Sequence, residues 1–218
     1  MKEKTSEQLS ELPYFGKGNL RLFQDNSDLS FDKNIQNWLK KGLIKKLKNG
    51  LYVCEKYLLA EPDKTGYVEF IASKLVYPSY LSGEYVLQKY SILTEAIYAI
   101  ISISRKTTRE INNFLGVFIY RNIKKELFIG FEKKQYKGNV YFQATKAKSL
   151  FDYIYLKKDG FGDFSNQEME ELRLNTDEIT SGDLNELKNY IKLSRDRKMD
   201  NFFNQFKKYA GTRTKRSR

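Results

Sequence analysis

The sequence contains no histidine and a single cysteine, Cys54. Without an imidazole the chain cannot build a Ser-His-Asp or Cys-His catalytic group, and nearly all zinc sites are excluded as well. One cysteine cannot form an intrachain disulfide, which is typical of proteins from a reducing compartment. We therefore expect a cytoplasmic protein without enzymatic activity, metal or cofactor.

Long apolar runs and phosphate-binding glycine motifs are also missing. The longest apolar run, residues 96–103, is far shorter than the roughly 20 residues that span a bilayer. The polar residues 1–12 lack the apolar core of a signal peptide. Neither GxxxxGK[ST] nor GxGxxG occurs. We expect a soluble protein with no membrane partner.

Acidic residues are fewer than basic residues. The chain has 39 Lys and Arg against 27 Asp and Glu, which gives a net charge of +12. This excess favours an anionic partner such as nucleic acid. The length of 218 residues allows one large or two small domains, and 31 Phe and Tyr residues (15 and 16) supply apolar area for packed cores.

Residues 30–53, SFDKNIQNWLKKGLIKKLKNGLYV, predict a helix followed directly by a β-hairpin. Ser30 is suited to the N-cap, and Phe31, Ile35, Trp38 and Leu39 share one helix face. Gly42 suits a C-cap of positive φ, and Asn49-Gly50 predicts a type I′ turn. With helices predicted at residues 5–12 and 19–24, residues 1–60 are expected to form a winged helix-turn-helix domain.

The helix and hairpin carry lysines but no acid between Lys33 and Gly50. In a helix-turn-helix the second helix enters the major groove of double-stranded DNA, where amides read base edges and lysines contact phosphates. The predicted DNA-binding residues are Lys33, Asn34, Asn37, Lys40 and Lys41 on the helix, and Lys45, Lys46, Lys48 and Asn49 on the hairpin. The alternative is an ordinary solvated surface of a lysine-rich chain.

The rest of the chain predicts a mixed α/β domain over residues 67–210, joined by a linker at residues 61–66, so the expected fold class is α+β. Its expected elements are a helix at 67–75, a helix from Ser82, strands at 97–104 and 117–123, a hairpin at 127–144, and three terminal helices. Thr145 is predicted to cap the first of these helices, and Asp183 with Glu186 to form the capping box of the second. A third helix is expected at 198–209, followed by a basic, disordered tail at 211–218.

Three segments of this domain resemble the C-terminal domain of the AbiEi family of AbiE-type antitoxins. They are SISRKTTR at 102–109, LGVFIYRNIKKELF at 115–128 and ATKAKSLFDYIYL at 144–156. The Gly50-Leu51-Tyr52 end of the hairpin is similar to the N-terminal module of the family, and the resemblance covers most of residues 12–160. Asn122 and Lys125 stand where the family often has His and Pro, which removes any role of a histidine there.

The resemblance implies the antitoxin of a type IV toxin–antitoxin system, known from phage abortive infection. The winged helix would bind inverted repeats upstream of its own operon and repress it. The C-terminal domain would counteract a nucleotidyltransferase-like toxin without a stable complex. The candidate antitoxin surface comprises Arg105, Lys106, Thr107, Thr108, Arg109, Tyr120, Arg121, Lys124 and Glu126. The alternative for these residues is a solvated turn with an internal Arg121–Glu126 ion pair.

Two other functions stay open at this point. One is a stand-alone repressor whose C-terminal domain dimerises or senses a ligand, and the oligomeric state on DNA can be monomer or dimer. The other is a metal-dependent nuclease, since Glu132-Lys133-Lys134 matches half of a nuclease-like metal site. That site also needs an upstream Asp, and none occurs between Asp63 and Asp152. We expect Asp152 to cap a helix or to pair with a basic neighbour.

Overall fold

The computed structural model describes residues 3–21 and 28–216. Helices and two β-sheets alternate along the chain, which confirms the predicted α+β class. The helices are α1 (Glu3–Ser10), α2 (Lys17–Arg21), α3 (Asp28–Lys40), α4 (Glu55–Ala60), α5 (Lys64–Leu75), α6 (Gly83–Lys89), α7 (Lys146–Lys157), α8 (Asn166–Glu171), α9 (Ser181–Ser194) and α10 (Arg197–Arg216). The strands are β1 (Ile44–Lys48), β2 (Leu51–Cys54), β3 (Ser79–Leu81), β4 (Ile100–Ser104), β5 (Arg109–Asn113), β6 (Gly116–Asn122), β7 (Phe131–Tyr136) and β8 (Asn139–Ala144).

The helix α3 begins earlier than the sequence predicts. Its first residue is Asp28, so Ser30 lies inside the first turn and is not the N-cap. An acidic residue at the helix start is favourable because the N-terminal end carries partial positive charge. The predicted apolar face is buried, and Gly42 takes the expected positive φ of 66°. Of the helix predicted at 19–24, α2 covers the beginning, and residues 22–24 lie outside the described residues.

The hairpin of β1 and β2 forms, but the predicted turn type is wrong. A type I′ turn needs positive φ at both central residues. Gly50 has φ 77°, whereas Asn49 is not among the residues of positive φ, and the strand pairing is irregular between Lys46 and Lys48. The strands are therefore closed by a bulged turn. Positive φ at both central positions occurs instead at Lys137 (45°) and Gly138 (77°), between β7 and β8.

The other six strands form one mixed sheet in the order β5-β6-β4-β3-β8-β7. The pairs β4–β6 and β3–β8 are parallel, and the remaining neighbours are antiparallel. The strand β5, with the sequence REINN, was not predicted. Its position at the edge of the sheet explains its polar composition, because an edge strand is partly in contact with water.

The predicted linker at residues 61–66 is not a free connection. Glu61 is only 3% exposed, and Asp63 accepts a hydrogen bond from the backbone of Gly66 as the N-cap of α5. One cluster of buried side chains runs from Leu9 in α1 to Tyr141 in β8. The helix–hairpin unit and α5 therefore share a core on one side of the sheet. A second core lies between the sheet and α7 to α10.

Three local predictions in this second half are corrected by tertiary contacts. Ser82 precedes α6 but makes no capping hydrogen bond, because its hydroxyl donates to Asp152. The capping box of α9 consists of Thr180 and Asp183, and Glu186 accepts instead from Thr145, 2.7 Å away. The helix α10 continues to Arg216, so residues 211–216 of the predicted disordered tail are helical. The N-cap role of Thr145 for α7 is confirmed.

Candidate nucleic-acid interface

One side of α3 is buried and the other carries the predicted contact residues. Lys33, Asn37, Lys40 and Lys41 are exposed, and Asn34 is half-buried. Among the residues that the structure describes, no carboxylate pairs with these lysines. The exposed face of α3 therefore presents cations and amides to solvent, together with one acid, Asp32, which pairs with Lys17 at 2.5 Å.

Two of the hairpin lysines have partners within the protein. The Nζ atom of Lys48 donates to the carbonyls of Lys74 and Leu75, at 3.3 and 2.6 Å. These carbonyls end α5, where backbone acceptors lack helical partners and the helix carries partial negative charge. Burial, together with the positive charge of Arg109, lowers the pKa of Lys48.

The ammonium of Lys45 also has an internal partner. It lies 3.2 Å from Glu55 Oε1 and 5.3 Å from the centre of the Phe114 ring. By contrast, Lys46 and Asn49 are exposed. We call these residues, together with the half-buried Asn34, the helix–hairpin surface, which comprises Lys33, Asn34, Asn37, Lys40, Lys41, Lys46 and Asn49.

The turn before β5 is exposed and ordered by hydrogen bonds. Asn122 donates through Nδ2 to the carbonyl of Lys106 and through its backbone N–H to Thr108 Oγ1, both at 3.1 Å. The guanidinium of Arg109 donates to the carbonyl and the hydroxyl of Thr107 at 3.1 and 2.9 Å. The side chains of residues 105–109 are therefore presented to solvent on a defined backbone.

One predicted member of the candidate antitoxin surface does not lie on the surface. Tyr120 is 0% exposed, and its hydroxyl donates to the carbonyl of Ala72 at 2.6 Å. Burial raises the pKa of this phenol. Because side chains alternate along a strand, Phe118 and Tyr120 face α5, and Arg121 faces the other side of the sheet. Tyr120 is therefore a core residue, contrary to the prediction.

The remaining members, Arg121, Lys124 and Glu126, are exposed. Among the ion pairs of residues 3–21 and 28–216, none joins Arg121 to Glu126. The alternative of an internal pair is therefore not seen. These three side chains stay available to solvent.

The structure brings together the hairpin and β5, which are distant in sequence. The side chain of Asn113 donates to the carbonyl of Leu47 at 2.9 Å, so β5 lies against β1. We call residues 105–122 the β5–β6 arm. Sequence reasoning missed Phe114, because only this tertiary contact places its ring beside a hairpin lysine.

Asp152 pairs with a basic neighbour, as predicted. Its Oδ1 atom lies 2.7 Å from Lys148 Nζ, and its Oδ2 atom accepts from Ser82 and Tyr80 at 2.7 and 3.0 Å. Both charged side chains are 0% exposed. Burial raises the pKa of Asp152, and the charge of Lys148 opposes that change. This enclosed pair has no access to solvent and stabilises the packing of α7.

The residues of the nuclease alternative do not meet. Glu132 is exposed on β7 and pairs with Lys134 at 3.3 Å, whereas Asp152 is enclosed under the sheet. In the described part of the chain, no group of three or more acidic or cysteine side chains is arranged to hold a metal ion.

Within residues 3–21 and 28–216, no helix is long and apolar enough to cross a bilayer. No protein-family model, curated protein or solved structure matches the chain. The family resemblance therefore depends on the quoted sequence segments alone.

Proposed function

We propose that this chain binds double-stranded DNA and regulates transcription, as the antitoxin of an AbiE-type system that represses its own operon. The observation that carries the proposal is the helix–hairpin surface. It joins exposed lysines and amides on α3 to a neighbouring hairpin, without carboxylate partners among the described residues.

The dimensions of α3 suit a recognition helix. Its 13 residues make a helix about 20 Å long and about 10–12 Å across, and the major groove is about 12 Å wide. The exposed amide of Asn37 can pair with an adenine edge, and the lysines around it can contact phosphates on either side. The hairpin follows α3 closely, so Lys46 and Asn49 would meet the adjacent backbone in the manner of a wing.

The antitoxin part of the proposal comes from the family resemblance. It assigns the opposition of a nucleotidyltransferase-like toxin to the domain that follows α4, with Arg121, Lys124 and Glu126 among its exposed candidates. A stand-alone repressor with the same DNA surface is the second candidate, because the helix–hairpin surface supports it equally.

The DNA-binding test uses the purified full chain and fluorescence-labelled duplexes. We expect tighter binding to the promoter region of its own operon than to a scrambled duplex of equal length. The triple substitution K33Q/K40Q/K41Q removes three phosphate contacts, so the slope of log affinity against log salt should become shallower by about 2.7. The matched control K188Q/K192Q/K207Q changes three exposed lysines of α9 and α10 and should keep the wild-type slope. Equal affinity for both duplexes, or equal slopes for the two triple variants, contradicts the proposal.

The antitoxin test is growth rescue in cells that express the nucleotidyltransferase-like protein encoded beside this chain. Rescue by the wild-type chain and by K33Q/K40Q/K41Q would support toxin opposition separate from DNA binding. Failure of rescue with intact operator binding favours the stand-alone repressor.

A further inference from the structure

The β5–β6 arm meets the β1–β2 hairpin at the end of β5. The side chain of Asn113, at the end of β5, bonds to Leu47 of β1, and Phe114 follows it beside Lys45. Arg109 begins the same strand and is close enough to Lys48 to lower its pKa. Five residues of β-strand extend about 17 Å, which equals about five base-pair steps of DNA.

Arg109 and the one acid of the arm are on opposite faces of the sheet. Arg109 pairs in register with Tyr120, whose side chain faces α5, and Ile111 packs into the same core. Arg109 is therefore on the hairpin side of the sheet. Glu110, the only acid in residues 105–122, points to the other side with Asn112, which donates to it at 2.7 Å. On the hairpin side of β5 the charged side chain is therefore Arg109, and the acid of the arm is on the other side.

This arrangement gathers like charges, which are compensated in part where Lys45 pairs with Glu55. Among the described residues, Arg105, Lys106 and Arg109 have no carboxylate partner. Arg109 begins β5, the strand that lies against a hairpin rich in lysine. Gathering cations on one surface costs free energy through repulsion, and a polyanion that crosses the surface removes that cost. The adjacent hairpin makes one DNA duplex the polyanion that can reach both sets.

Phe114 adds an apolar group to the same surface. Its side chain is 43% exposed at the turn between β5 and β6, although a buried ring would stabilise the fold more. Proteins that bind DNA grooves use Phe for contacts with thymine methyl groups and as a wedge between base steps. An exposed Phe beside the ammonium of Lys45 is suited to such a contact.

We propose that the β5–β6 arm is a second part of the DNA-binding surface, in which Arg105, Lys106 and Arg109 contact phosphates and Phe114 makes an apolar contact in a groove. The proposal rests on the DNA binding proposed above and extends it from the helix–hairpin surface to the central sheet. It assigns residues 105–109 to DNA instead of to toxin opposition.

The test measures the affinity of the full chain for its promoter duplex over a range of salt concentrations. R105Q/R109Q should make the slope of log affinity against log salt shallower by about 1.8. K106Q should make the same slope shallower by about 0.9, and it leaves the turn hydrogen bonds of Arg109 in place. The control R121Q/K124Q removes two exposed cations outside the hairpin side and should leave the slope unchanged. The far-ultraviolet circular dichroism spectrum and melting temperature confirm that each variant is folded.

In the same assay, loss of the apolar contact should change the affinity without changing its salt dependence. F114A should weaken binding at least about fivefold at every salt concentration and keep the wild-type slope, because no counterion is released at a phenyl ring. L193A, which truncates an apolar side chain of similar exposure on α9, should bind as the wild type.

Three results would overturn the inference and leave the proposed function intact. In the first, K33Q/K40Q/K41Q loses binding while R105Q/R109Q and K106Q keep the wild-type slope. In the second, F114A keeps the wild-type affinity. In the third, R105Q/R109Q binds DNA normally but loses growth rescue, which returns residues 105–109 to toxin opposition. If the wild-type chain does not bind its promoter, the proposed function fails first.

Discussion

The buried ion pair of α7 gives the sharpest stability prediction. Substitution of Asp152 by Asn removes the negative charge but keeps an oxygen that can accept from Ser82 and Tyr80. The ammonium of Lys148 then stays 0% exposed, with the Leu127 carbonyl at 2.8 Å as its remaining strong acceptor. An uncompensated buried charge of this kind costs about 3–5 kcal/mol. That is a large part of the about 5–15 kcal/mol by which a typical domain is stable.

Removing both charges should cost much less. In the double variant K148M/D152N the apolar chain of Met fills the space of the lysine stem, and Asn keeps the two hydroxyls bonded. We expect a loss of at most about 2 kcal/mol, which includes about 1 kcal/mol for the Leu127 carbonyl that loses its donor. The two single substitutions should therefore be strongly non-additive, by at least about 2 kcal/mol.

The assay is urea unfolding followed by circular dichroism, with the free energy of unfolding extrapolated to water. At a slope of about 2–3 kcal/mol/M, the midpoint of D152N should fall by about 1–2 M. The control E132Q/K134M breaks an exposed pair on β7 and should change stability by less than about 0.5 kcal/mol. A cost below about 1 kcal/mol for D152N, or a double variant as unstable as the sum of the singles, would refute the reasoning.

Three further predictions concern Glu61, Lys48 and Asn37. Burial alone would raise the pKa of Glu61, but hydrogen bonds from Lys137, Tyr136 and the Asp63 N–H lower it to about 2. Since the folded-state pKa lies below the ordinary glutamate value of 4.5, the stability that this carboxylate contributes should be lost as the pH falls from about 4.5 to about 2. The urea midpoints of E61Q should lack this part of the acid dependence. K48M should lower the free energy of unfolding by about 1–2 kcal/mol, because the end of α5 loses a charged donor. The slope of log affinity for DNA against log salt should change by less than about 0.9. A change of slope by a full phosphate contact without loss of stability would contradict the role of Lys48 at the end of α5. N37A should reduce the preference for promoter over scrambled duplex by about fivefold or more at an unchanged salt slope, and an unchanged preference in the anisotropy titration would exclude Asn37 from base recognition.

Local signals predicted much of the secondary structure. The spacing of apolar residues located α3, α5 and α7, and the identities of Gly42 and Thr145 marked a helix end and a helix start correctly. These predictions succeed because caps and helical periods depend on residues a few positions apart. The Asn49-Gly50 turn and the Asp183 capping box failed, because several local solutions have similar free energies and the surrounding packing selects among them.

The predicted DNA-contact residues also divide into those whose exposure follows from local sequence and those whose environment depends on tertiary contacts. Exposure of Lys33, Lys40 and Lys41 follows from the period of α3, so the sequence alone indicated it. The internal partners of Lys48 and the burial of Tyr120 depend on α5, which packs between the hairpin and the sheet. No pattern within either segment contains that information.

By itself, the sequence determined that the chain has no histidine chemistry and no intrachain disulfide, has excess positive charge, and has an amphipathic basic helix before a hairpin. Composition and short-range periodicity are sufficient for each of these. Only the tertiary structure decided that the hairpin is held against β5, through residues 66 positions apart, and that a cationic arm with an exposed Phe114 lies next to it. The reason is the strand order of the six-stranded sheet, which places β5 at the end of the sheet where the side chain of Asn113 meets the hairpin.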